Sequence, residues 1–101
     1  MTRADLLPAE LVENIISCFG RTDGLPRFLG VYSITEGVVA ISTGTSTGTL
    51  GYEYRDLRDC LRRANHHGQD SVVLVDFVAR QAWTDTFAAA SAFLLLENQP
   101  A

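Results

Sequence analysis

The run from Ser71 to Val78 places Val72, Val73, Leu74, Val75, Phe77 and Val78 in close succession, and it limits the possible folds more than any other segment. An aliphatic run with no polar side to give to water reads as a central strand covered on both faces. A chain of 101 residues has room for one hydrophobic core, so residues 1–101 are expected to form a single domain with elements on both sides of one small sheet. Its 47% hydrophobic and 20% charged residues fit a folded globule and not a disordered chain.

The segments around that strand supply the covering elements. Residues 6–19 read as a helix with Pro8 in the first turn, a broad apolar stripe of Leu11, Val12, Ile15, Ile16, Cys18 and Phe19, and Gly20 as the stop. Phe28 to Ile34 and Val38 to Ser42 form the clearest hairpin. Thr35-Glu36-Gly37 joins them, with Gly37 as the left-handed residue of a three-residue loop. Gly51 to His67 reads as a second helix with Tyr54, Leu57, Cys60, Leu61 and Ala64 on one side. Its acids come early and its basic residues late, and Gly68 ends it. Asp85 is placed to cap a last helix from Thr86 to about Glu97, although Ala92 to Leu96 also suits a strand if a turn forms near Trp83. The expected class is α+β, in the order α-β-β-α-β-α, with helices packed against a small, partly antiparallel sheet.

Between the hairpin and the second helix lies Ser42-Thr43-Gly44-Thr45-Ser46-Thr47-Gly48-Thr49, drawn only from Ser, Thr and Gly. Such a segment can wrap an anion with backbone amides and hydroxyls, or serve as a flexible connection over 42–51. Thr43 to Gly48 is similar to the phosphate loop of AMP-forming acyl-activating enzymes, but the Pro-Lys that follows in that family is absent and those enzymes are far longer chains. The segment is better read as a mobile connection; if it has a role, contact with a protein partner through Thr43, Thr45, Ser46, Thr47 and Thr49 is preferred to chemistry.

Charge and residue types exclude several functions. The formal charge of −4 argues against nucleic acid and anionic membranes and is too small for a mimic of DNA. All eight basic residues are arginine, which removes Schiff-base chemistry and the lysine of a phosphate-binding loop. Arg55, Arg58 and Arg62 recur at near-helical spacing and form the alternative anion-binding set, although Asp59 is positioned to pair with Arg55 and Arg63. His66 and His67 are adjacent, so on a helix they diverge and do not chelate one ion. Cys18 and Cys60 read as free buried thiols, and no metal or other cofactor is expected. Asp76 interrupts the most apolar strand and is the best single candidate for a shifted carboxyl, paired in the plainer reading with Arg80 or a backbone amide. No motif orders a nucleophile, so no catalytic residue is assigned.

The final helix carries the functional expectation. Phe87, Ala88, Ala89, Ala90, Ala92, Phe93, Leu94, Leu95 and Leu96 surround it with apolar side chains, and a helix of this kind has to be buried. A small domain has few elements to enclose it, so Phe87, Phe93, Leu94 and Leu95 are the expected self-association residues. The N-terminal region, with Arg3, Asp5, Glu10 and Glu13, lacks the apolar core of a secretory leader, and the longest apolar run is too short to span a bilayer. The chain is therefore read as a cytoplasmic, homodimeric, non-enzymatic module that binds another protein, in the class of small acidic regulators, inhibitors and secretion chaperones.

Two family resemblances accompany this reading. Leu7-Pro8-Ala9-Glu10-Leu11, continuing to Ile15, resembles the opening helix of an F-box, but the strand-rich sequence that follows departs from that three-helix pattern. The order helix, hairpin, helix resembles roadblock-type dimerisation domains, which continue with more strands. That resemblance implies homodimerisation and partner docking.

Overall fold

A computed structural model describes residues 5–35, 37–50, 53–64 and 71–98. The elements are α1 (Ala9–Ser17), β1 (Phe28–Ile34), β2 (Gly37–Ile41), β3 (Ser46–Thr49), α2 (Tyr54–Ala64), β4 (Ser71–Asp76), β5 (Gln81–Thr86) and α3 (Phe87–Glu97). The fold is α+β, with helices packed on one five-stranded sheet in the order β3-β2-β1-β4-β5, every neighbouring pair antiparallel. Glu36, Gly51, His66, His67 and Gly68, named above, lie outside the described residues.

β4 has the two-sided burial its composition demands. Val73 and Val75 join the cluster formed with α1 and α2, whereas Val72 and Leu74 join the cluster under α3. Pairing of β4 with β1 sets Val31 opposite Val73 and Leu29 opposite Val75, and extends the layer under α1 and α2 across the sheet centre. Two helices thus cover one face and a single helix covers the other.

Two strands add to the predicted order. The second half of the Ser/Thr/Gly segment is β3, the last strand of the sheet, and its register against β2 shifts between Ala40 and Ile41. Gly44, at φ +84°, makes the turn into it, and a side chain there would come within 3.4 Å of the Ser91 carbonyl oxygen on α3. β5 follows the turn after Asp76 and contains Trp83, so the turn expected near Trp83 falls earlier and residues 92–96 are helical. Ile34 pairs directly with Gly37, which places Gly37 in β2 and leaves a shorter hairpin connection than predicted. α1 begins at Ala9, not residue 6, because Leu6 and Leu7 are drawn to the edge of β5. Leu6 bridges Trp83, and the Leu7 amide donates to the Ala82 carbonyl at 2.8 Å.

Asp76, at the end of β4, is fully buried. Its carboxylate accepts from Arg27 Nε at 3.1 Å and Nη2 at 3.2 Å, and Oδ1 also accepts from the amides of Val78 and Ala79 at 3.0 and 3.1 Å. Burial pushes the carboxyl pKa up, but the Arg27 guanidinium and the two amides outweigh it and hold the group below its ordinary value. The partner is Arg27 and not Arg80. Arg80 sits at φ +54° in the following turn and donates through Nε to Glu13 of α1 at 2.8 Å. Asp76 therefore shapes the β4–β5 turn and ties it to the start of β1.

The sign of the shift fixes its pH dependence. A carboxyl with a depressed folded pKa contributes stability above its unfolded value, and that contribution is lost as pH falls through the folded value. Asp76→Ala should cost about 2–3 kcal/mol at neutral pH, where the amides and Arg27 lose their acceptor. Chemical denaturation of wild type and variant should show this gap narrowing from about pH 4 downward. A gap independent of pH would assign the loss to packing.

Candidate interaction surface

α3 is set by its two ends. Thr86, and not Asp85, is the N-cap: its Oγ1 accepts from the Ala89 amide at 3.1 Å, while Asp85 Oδ1 accepts from the Thr86 amide at 2.8 Å. At the other end Asn98 donates from Nδ2 to the carbonyls of Phe28 at 2.8 Å and Ser42 at 2.6 Å, and its Oδ1 accepts from the Phe28 amide at 3.4 Å. One side chain thus fixes the helix C-terminus to the first residue of β1 and to the turn that leads into β3.

Between these anchors the helix turns Ala90 and Leu94 inward. Leu94 reaches the sheet at Gly30, where an added Cβ would stand 3.0 Å from Leu94 Cδ1 and 2.9 Å from Ile41 Cγ1. The missing side chain allows the helix to approach this closely. Phe93 packs edge-on against Phe28 and Trp83, with ring centroids 5.0 and 5.4 Å away, and Phe87 packs edge-on against Tyr32 at 5.7 Å.

The predicted self-association residues therefore divide. Leu94 is 0% exposed and belongs to the core, and Phe93 is half-buried between two aromatic rings. Phe87 at 43%, Leu95 at 52% and Leu96 at 70% remain exposed, beside the exposed Ala88, Ala89 and Ala92. Leu96 is the residue the predicted set omitted. Only Glu97 carries a charge in α3, so the outer face is apolar along nearly its whole length.

The other predicted residues do not gather into a site. Arg58 Nη2 donates to the carbonyls of Ile34 and Thr35 at 3.0 and 3.2 Å, its Nη1 donates to the Tyr54 hydroxyl, and its guanidinium lies over the Tyr54 ring. It fastens α2 to the β1–β2 turn. Arg62 pairs with Asp59 at 3.8 Å, and Arg55 is exposed. Thr43 and Thr45 bring their hydroxyls within 3.4 Å of each other on the exposed turn, and Ser46, Thr47 and Thr49 lie along β3. Among the described residues no group of three or more His, Cys, Asp or Glu is placed to hold a metal ion, and no helix is long and apolar enough to cross a membrane.

Comparison with known proteins gives no matching family model, and neither the curated proteins nor the solved structures yield a significant match.

The division of α3 predicts unequal costs. Leu94→Ala should destabilise the fold by about 3 kcal/mol through loss of burial and the cavity left behind. Leu95→Ala, measured by the same denaturant titration at low protein concentration, should cost no more than about 0.5 kcal/mol. Equal losses would contradict the assigned helix phase.

Proposed function

We propose that this chain is a non-enzymatic protein-binding module that acts as a homodimer and regulates, inhibits or escorts another macromolecule. The observation that carries the reading is the outer face of α3, where Phe87, Leu95 and Leu96 stand exposed among alanines on an almost uncharged helix. An apolar patch of this kind on a small domain marks an interaction site. A second copy suits it because the chain carries a charge of −4, and two copies repel least where their surfaces are neutral. The small alanine side chains let two such helices approach closely, and a two-fold arrangement buries the same residues from both copies.

The macromolecule acted on is assigned to the turn containing Thr43 and Thr45 and to β3, which together form the outermost part of the sheet. Strand addition at a sheet margin supplies affinity through main-chain bonds. The alternative reading, a small-ligand or anion-binding domain using the Ser/Thr/Gly loop with Arg55, Arg58 and Arg62 as the anion-binding set, is weaker because Ser46–Thr49 form β3, Arg58 is turned to the hairpin carbonyls and Arg62 to Asp59. A reducing cytoplasm suits the two free cysteines.

Size-exclusion chromatography with light scattering tests the dimer. Wild type should elute at twice the 11.0 kDa chain mass. Leu95→Glu/Leu96→Glu should raise the dissociation constant at least about 100-fold, because burying a carboxylate in an apolar interface is costly. Its circular dichroism should match wild type. A wild type that remains at the chain mass at every concentration and captures no protein from its host would overturn the proposal.

A further inference from the structure

We propose that Cys18 and Cys60 form a dithiol site that a small oxidant of the peroxide class closes into a disulfide joining the end of α1 to α2. Cys18 is the C-cap of α1 and Cys60 lies within α2. Both thiols are free and buried, and both belong to the cluster packed between these helices and the sheet. They belong to one cluster, and each is near enough to bear on the other's titration. They also line one cleft of about 250 Å³, open to solvent, together with Asn14, Ser17, Glu53, Asp56, Asp59 and Arg63. A small oxidant entering this cleft reaches a lining that includes both cysteines.

The cleft also selects the oxidant. Three carboxylates and one guanidinium line it from α2 and the residue before it, and α1 contributes the uncharged Asn14 and Ser17. An anionic oxidant is repelled, whereas neutral hydrogen peroxide is not. Burial first, and then Cys60, Asp56 and Glu53, push the Cys18 thiol up to about 11. Burial raises Cys60 as well, with Arg63 opposing it and Asp59 and Asp56 adding to it. Arg63 lines the cleft one helical turn from Cys60, so Cys60 is taken as the attacking sulfur; reaction is slow at neutral pH because burial leaves little thiolate.

The steps balance. The Cys60 thiolate attacks one oxygen of hydrogen peroxide, the O–O bond breaks, and hydroxide leaves a Cys60 sulfenic acid. The Cys18 sulfur then attacks the Cys60 sulfur, the S–O bond breaks, and the departing hydroxide takes the Cys18 proton as water. Two thiols and one peroxide give one disulfide and two waters, with two electrons passing from sulfur to oxygen.

The test treats reduced, intact protein with millimolar hydrogen peroxide and follows it by intact mass and non-reducing peptide mapping. The expected product has lost two hydrogens, carries a Cys18–Cys60 link within one chain, and returns to the starting mass with a phosphine reductant. Its melting temperature should rise by roughly 10 °C, as expected for a crosslink that closes a long loop. At low salt, the dicationic disulfide cystamine should consume the thiols at least about 10-fold faster than anionic glutathione disulfide. Cys18→Ser should yield oxygen addition at Cys60 and no internal link. Oxygen addition at one cysteine of the wild type while the other stays alkylatable, a link between chains, or two unchanged thiols would each overturn the proposal.

Discussion

Everything in this fold follows from a sheet whose two middle strands are apolar on both faces. β1 and β4 cannot leave either side to water, so each side needs a helical cover, and the described residues supply three helices for two faces. α1 and α2 together close one side. α3 has to close the other alone, and Gly30 lets Leu94 come down onto β1 and β4 close enough to do so. An eleven-residue helix can turn only part of its circumference toward the sheet. The remaining apolar circumference is what the proposed dimer covers.

The buried charge shows how polar chemistry serves the frame. Asp76 has the burial and the displaced titration of a functional carboxyl, yet its partners are structural: Arg27 before β1 and two amides of the next turn. The same logic holds for Arg58, committed to the carbonyls of the β1–β2 turn, and for Asn98, which joins α3, β1 and the turn before β3. Side chains with catalytic or anion-binding potential are used to fasten connections between elements that the core alone does not orient.

The elements with a strong apolar rhythm were legible in the sequence: β1, β2, β4 and the two amphipathic helices. β3 and β5 were not, because Ser46-Thr47-Gly48-Thr49 and Gln81-Ala82-Trp83-Thr84-Asp85-Thr86 carry little apolar signal of their own and take their extended form by pairing with the strand just before each. The ionic partner of Asp76 was hidden for a similar reason. Arg80 is near in sequence but is drawn to Glu13, while Arg27, 49 positions away, is brought in by the pairing of β1 with β4. On α3 the sequence established that the helix is apolar all round but not its rotation. Without a polar stripe nothing distinguished Leu94, which is core, from Leu96, which is surface. The shared placement of the two thiols is likewise a product of tertiary packing, since Cys18 and Cys60 join one cluster only when α1 lies against α2.

In the proposed homodimer the outer face of α3 is completed by the same face of a second copy. An isotope-filtered NOE experiment on a mixture of labelled and unlabelled chains measures this directly. Cross-peaks between chains should run from the Leu95 and Leu96 methyls to alanine methyls and the Phe87 ring of α3, and should fade on dilution. A sample that is dimeric by light scattering but shows its inter-chain cross-peaks elsewhere, with none from α3, would contradict the account.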